Sequence, residues 1–151
     1  METDELEDLY HETILDHRRN PRNHDKLEDA DIVADGVNPF CGDEVHIQIN
    51  LDDGGRITEV GLQGVGCSIN QAAGSMLAEV IEGESLDRTE AVSNFFRAMM
   101  MGDDSIGDSP LPGDLQSLSG VKQFPVRIKC ALLAWSTLEE GMERYRRDHT
   151  G

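Results

Sequence analysis

Gly64-Val65-Gly66-Cys67-Ser68-Ile69-Asn70-Gln71 is the stretch on which the reading of this chain turns. Up to Cys67 apolar residues recur at about every second position; beyond it they recur at three and four. The stretch therefore reads as the end of a strand, a glycine-loosened turn that carries a cysteine, and the start of a helix. Upstream, Asn38-Pro39-Phe40-Cys41-Gly42-Asp43 puts a cysteine and a carboxylate on another turn. Downstream, Arg127-Ile128-Lys129-Cys130 puts a third cysteine near the start of a long amphipathic helix. The expectation is that folding gathers these three sites around one metal ion.

The strongest strand signal is Glu44 to Leu51. Val45, Ile47, Ile49 and Leu51 point one way, and Glu44, His46, Gln48 and Asn50 the other. Asp52-Asp53-Gly54-Gly55 is a hairpin turn. Arg56 to Gln63 is the returning strand, and its broken alternation (Ile57, then Val60 and Leu62) predicts a bulge. Ala30 to Gly36, around Ile32-Val33, is a weaker first strand. A sheet with one polar face is antiparallel and covered by helices on the other.

Helical periodicity fills most of the rest. Leu6 to Arg19 carries Leu6, Leu9, Tyr10 and Ile14 on one face, and Asn20-Pro21 ends it. Asn23 to Asp29 is a polar connection. After Cys67, Ile69, Ala72, Ala73, Met76, Leu77, Val80 and Ile81 make a stripe closed by Gly83. Ser85 is placed to cap a helix whose stripe is Val92, Phe95, Phe96, Met99 and Met100, with the Met99-Met100-Met101 run reading as adaptable core packing. Gly102 to Gly120 reads as a long surface excursion around a short Leu115–Leu118 piece. The last helix is expected from about Val126 to Arg147, with Ile128, Leu132, Trp135, Leu138 and Met142 inward. The fold class is α+β: a small antiparallel three-stranded sheet covered on one face by helices, ending in a long C-terminal helix. One domain is expected over residues 1–151, with a flexible insertion at about 102–120.

Composition narrows the partners. A formal net charge of −17 on 151 residues repels polyphosphates, so no nucleic acid is expected. No apolar run approaches the roughly 20 residues of a membrane helix, so no membrane partner is expected either. The acidic start Met1-Glu2-Thr3-Asp4-Glu5 is unlike a signal or transit peptide, which points to the cytoplasm. In a reducing compartment three cysteines point to metal or catalysis more than to disulfides. Lys26, Lys122 and Lys129 are the only lysines, and an acidic, lysine-poor, halophile-like surface is expected in a host with high internal salt.

Cys41 and Asp43 lie just before the central hairpin and Cys67 just after it. The two ends of an antiparallel hairpin are neighbours, so these residues meet at its open end. Cys130 joins them if the last helix packs over that end. The bland alternative, a small buried hydrophobe, is strongest for Cys130, which precedes Ala131-Leu132-Leu133. It is weaker for Cys41 and Cys67, on turns beside glycines; a cysteine at a helix N-terminus also favours thiolate. Cys41, Asp43, Cys67 and Cys130 make a closed tetrahedral set for zinc. That site is net negative, and Arg127, three residues before Cys130 on the same helix face, is the candidate offsetting cation. His46 is a lesser candidate on the polar face of its strand, and His11, His17, His24 and His149 are expected in solvent. No catalytic triad, P-loop or dinucleotide fingerprint is present.

Together these residues resemble the iron–sulfur cluster assembly family that includes the IscU scaffolds and the SufU sulfur acceptors. The matching segments, in order, are His17-Arg18-Arg19-Asn20-Pro21-Arg22-Asn23, Asn38-Pro39-Phe40-Cys41-Gly42-Asp43, Gly64-Val65-Gly66-Cys67-Ser68-Ile69 and Arg127-Ile128-Lys129-Cys130-Ala131. The IscU scaffolds carry a histidine immediately before the third cysteine, where this chain has Lys129. That difference, the 102–120 insertion and Arg127 make the chain more similar to the SufU type. The resemblance implies a SufE/IscU-like fold, zinc held by Cys41, Asp43, Cys67 and Cys130, and Cys41 as acceptor of persulfide sulfur from a cysteine desulfurase, a sulfurtransferase-like activity. The alternative is a non-enzymatic scaffold on which a [2Fe–2S] or [4Fe–4S] cluster is assembled on the same thiolates and passed to apo-acceptors or downstream assembly proteins.

Overall fold

The computed structural model describes residues 12–38, 42–101, 115, 118 and 125–149. A first helix, α1, covers 12–19. Three strands follow: β1 Ile32–Asn38, β2 Asp43–Leu51 and β3 Ile57–Val65. Three helices complete the described chain: α2 Ser68–Ile81, α3 Leu86–Met100 and α4 Pro125–His149. The sheet has the order β1-β2-β3 and is antiparallel throughout, as expected. β1 and β3 each run to a later residue than the sequence indicates, which carries both strand ends up to the cysteine-bearing turns.

The inner face of the sheet is a lattice of apolar rows. Ile32, Ile49 and Val60 form one row and Ala34, Ile47 and Leu62 the next, all buried. The expected bulge is present: Asn50 pairs with Glu59 but Leu51 with Ile57, leaving Thr58 as the extra residue. That insertion restores the phase, so Ile57 and Val60 both point inward despite their spacing.

Helices α2 and α4 cover this face. Ala72, Ala73, Met76, Leu77 and Ile81 of α2 are fully buried, as are Trp135 and Leu138 of α4. Small residues set the approach of α4 to β1. A side chain at Gly36 would overlap Thr137 Oγ1, and one at Gly141 would come 2.9 Å from the Ala34 Cβ. Helix α3 begins at Ser85, whose hydroxyl accepts from the Arg88 N–H at 3.1 Å. Its Phe96 stacks on Trp135 with ring centroids 5.6 Å apart.

The other sheet face is less open to water than its polar alternation implies. Gln48 is 2% exposed because the 23–29 connection lies over it. Its Oε1 accepts from the Leu27 N–H, its Nε2 donates to Gln63 Oε1, and Gln63 Nε2 donates to the His24 carbonyl. The Leu62 N–H on the free edge of β3 donates to the Asn23 carbonyl at 2.8 Å, which shields that edge.

His17 departs from the expectation of a solvated side chain. It is fully buried, and its Nδ1 lies 2.8 Å from Ser75 Oγ on α2. The same Oγ accepts from the Arg22 N–H. His17 follows Ile14 by three residues and so continues the inward stripe of α1; its polar neighbours in sequence hide that. Leu115 and Leu118 are also fully buried, so at these two positions the 102–120 segment enters the core rather than staying on the surface. Met99 and Met100 pack inward while Met101 is exposed. The expectations for Leu6, Leu9, Tyr10 and His11 and for the rest of 102–120 lie outside the described residues.

Candidate metal centre

The facing ends of β1 and β2 are tied together: Asn38 pairs with Asp43, and the Gly42 N–H donates to the Asn38 carbonyl at 2.9 Å. Asp43 thus opens β2 and points inward on the same side as Val45, with no solvent exposure. On the far side of β2, Glu44 pairs with Val65, the last residue of β3. The chain then turns through Gly66 (φ 120°) into Cys67, which is the N-cap of α2. A Cβ on Gly66 would overlap Asp43 Oδ1 and sit 2.9 Å from the Asp43 Cα. Glycine at 66 is what lets the turn lie against the carboxylate.

The carboxylate of Asp43 divides its two oxygens. Oδ1 accepts from the Cys67 N–H at 2.8 Å, and Oδ2 lies 3.5 Å from Cys67 Sγ. Cys130 arrives from the start of α4, 1% exposed. One ligand atom from each of Asp43, Cys67 and Cys130 lies within 4.8 Å of the other two. Burial pushes the Cys130 thiol well above its ordinary pKa, and hydrogen bonding to Asp43 and then Cys67 adds to that rise. A fully buried carboxylate between two cysteine sulfurs is a costly arrangement without a cation.

The donor set fits zinc. Tetrahedral ligation with Zn–S near 2.3 Å and Zn–O near 2.1 Å sets ligand atoms about 3.5–3.8 Å apart. The 3.5 Å separation of Asp43 Oδ2 and Cys67 Sγ already has that value. The N–H bond to Oδ1 holds the carboxylate so that Oδ2 faces the sulfurs, as an outer-shell partner of a metal ligand does.

Of the residues expected at the site, the structure brings together Asp43, Cys67 and Cys130. Cys41 lies outside the described residues. Arg127 is exposed, one helical turn before Cys130. His46 is on the opposite face of the sheet from Asp43, with Nδ1 2.6 Å from Oδ1 of its cross-strand neighbour Asp35. Two residues read only as a helix start also reach the site. Asn70 Nδ2 donates to the Glu44 and Val65 carbonyls, and Gln71 Nε2 donates to the Gly66 carbonyl. Carboxamides one turn after a Gly-Cys turn were the available signal, since such side chains favour bonds to nearby backbone.

The sequence profile of the NifU-like N-terminal domain matches residues 9–150. The chain belongs to this family. It is 42% identical over 142 residues to the zinc-dependent sulfurtransferase SufU of Bacillus subtilis (strain 168), covering 92% of each protein. It is 33% identical to the iron–sulfur cluster assembly scaffold protein IscU of Streptococcus pyogenes serotype M1, over 95% of this chain and 89% of that one. Among solved structures, an iron–sulfur cluster assembly scaffold protein for the SUF system from Fervidobacterium islandicum AW-1 superposes with a TM-score of 0.77 at 34% identity, covering 87% of this chain and 94% of that chain. This NifU-like chain therefore shares the α+β architecture of that neighbour. No helix among the described residues is long and apolar enough to cross a membrane.

Proposed function

We propose that this protein acts in iron–sulfur cluster assembly as a zinc-dependent acceptor and carrier of persulfide sulfur. The observation that carries the reading is the buried Asp43 carboxylate set between Cys67 and Cys130, in a chain that resembles a zinc-dependent sulfurtransferase over nearly its whole length. Asp43, Cys67 and Cys130 would hold the zinc with Cys41 as the fourth ligand. Cys41 precedes Asp43 by two residues, and two residues of backbone span at most about 7 Å. Bound zinc supplies one thing: it keeps the coordinating sulfurs as thiolates at neutral pH.

The remaining chemistry belongs to the chain and its partner, a cysteine desulfurase. The Cys41 thiolate attacks the terminal sulfur of the desulfurase persulfide. A new S–S bond forms at Cys41, the old one breaks, and the desulfurase cysteine leaves as thiolate. Cys130 is too buried to meet an incoming persulfide, and the acceptor role of Cys41 is what the resemblance to the SufU sulfur acceptors implies. Arg127, exposed one turn from Cys130, would offset the negative charge of the ligand set.

The test is sulfur transfer from labelled cysteine through a desulfurase. The wild type should take up label in a form released by thiols, and Cys41→Ala should take up none. Label on Cys41→Ala at the wild-type level would overturn the assignment. A second reading rests on the scaffold relatives: the same donors would carry an iron–sulfur cluster as cargo for apo-acceptors. It predicts visible absorption after anaerobic reconstitution and transfer of the cluster to an apo-acceptor, which the sulfur-carrier reading does not.

A further inference from the structure

We propose that Asn70 is a positioning residue for the metal centre: its carboxamide fixes the separation of the two strand ends that carry Asp43 and Cys67. The inference rests on the metal-centre reading above. Asn70 lies in the first turn of α2 and is fully buried. Its Nδ2 donates to the Glu44 carbonyl at 3.1 Å and to the Val65 carbonyl at 3.0 Å. Those two residues face each other across β2 and β3. Glu44 directly follows Asp43, and Val65 is two residues before Cys67. One amide nitrogen therefore bridges the open end of the hairpin at the point where both metal ligands leave it.

The choice of residue type follows from the acceptors. Two carbonyls converge on the site, and a carboxamide nitrogen is the smallest neutral donor with two hydrogens to give. Serine has one and an aliphatic side chain none. Carbonyls only accept, so the orientation with Nδ2 towards them is fixed. That orientation leaves Oδ1 buried without a hydrogen-bond partner among the described residues. An orphaned buried acceptor is unfavourable, so the grip of the nitrogen is what the position retains. Without it the hairpin end is free to splay, and the 3.5 Å approach of Asp43 Oδ2 to Cys67 Sγ is no longer set in advance.

The experiment compares the wild type, Asn70→Ala, Asn70→Ser and the distant cap variant Ser85→Ala. Each is stripped of metal and titrated with zinc against a chromophoric chelator, with cobalt(II) spectra as an independent view of ligand geometry. Urea unfolding of the metal-free forms gives stability separately. Loss of a group that orients a metal ligand weakens binding by about 10- to 100-fold, and Asn70→Ala should fall in that range. Its cobalt d–d bands should shift. Asn70→Ser, with one donor, should lie between it and the wild type, which keeps the test open if the alanine variant fails to fold. Ser85→Ala should lose stability with no change in zinc affinity. Zinc affinity within about twofold of wild type in a folded Asn70 variant would overturn the inference, as would an equal loss in Ser85→Ala. A wild type that binds neither ion would instead overturn the metal-centre reading, and this inference with it.

Discussion

At Gly66 two constraints coincide, a backbone angle and a contact. Its φ of 120° is one that side chains with a Cβ rarely adopt, and its missing Cβ is where Asp43 sits. Gly42 shares only the first constraint: its φ is 74°, but a Cβ there would meet nothing within 4 Å. The two should therefore respond differently to alanine. Gly42→Ala bears the left-handed cost alone, about 1–2 kcal/mol. Gly66→Ala adds displacement of the carboxylate and should lose more than about 3 kcal/mol, together with zinc affinity. Urea midpoints of the metal-free variants measure the difference, and equal losses would remove the role given to the Asp43 contact. The sequence shows that position 66 is a glycine beside a cysteine. It does not show that the atom packed against it belongs to Asp43, because that pairing depends on the hairpin register.

Among the elements, the strands and helices with a clear period were legible, and contacts made by polar residues were not. The β2–β3 hairpin, its bulge, the α2 stripe and the Ser85 cap all follow from spacing or from one diagnostic residue. The cap gives a direct check. Ser85→Ala leaves the Arg88 N–H without its acceptor and should cost about 1 kcal/mol, read as a lowered unfolding midpoint. An unchanged midpoint would mean that water serves that N–H equally well. The burial of His17 and of Gln48 is hidden from the sequence for a common reason. Alternation assigns a side chain to a face, but what covers that face is decided by a segment far along the chain: Ser75 for His17, and the 23–29 connection for Gln48. The contacts of Asn70 are hidden likewise, since its acceptors at Glu44 and Val65 become neighbours only when the hairpin closes. The site was more legible than these contacts because hairpin topology alone places Asp43 beside Cys67. Cys130 needed the packing of α4, which small residues at Gly36 and Gly141 permit and periodicity does not encode.

For the whole molecule the dominant electrostatic fact is a formal net charge of −17. Among the described residues, two arginines are each shared between two carboxylates. Arg22 faces Asp16 and Glu79, and Arg146 faces Asp87 and Glu90. The hydrogen bond from Arg22, with a second from Asn20, holds the Asp16 carboxyl below its usual range. These local attractions leave most of the acidic surplus unopposed. Added salt acts on both. It weakens exposed ion pairs worth about 1 kcal/mol or less each, and it screens repulsion that is spread over the whole surface. The Debye length falls from about 10 Å at 0.1 M to about 3 Å at 1 M. With 30 acidic side chains against 13 lysines and arginines, there is more repulsion to relieve than pairing to lose, and screening of repulsion wins. The thermal midpoint of the metal-free protein should therefore rise steadily from about 0.1 M to about 2 M KCl, the behaviour of a protein suited to a salt-rich interior. A flat or falling midpoint would show that the acidic surface is not a salt adaptation.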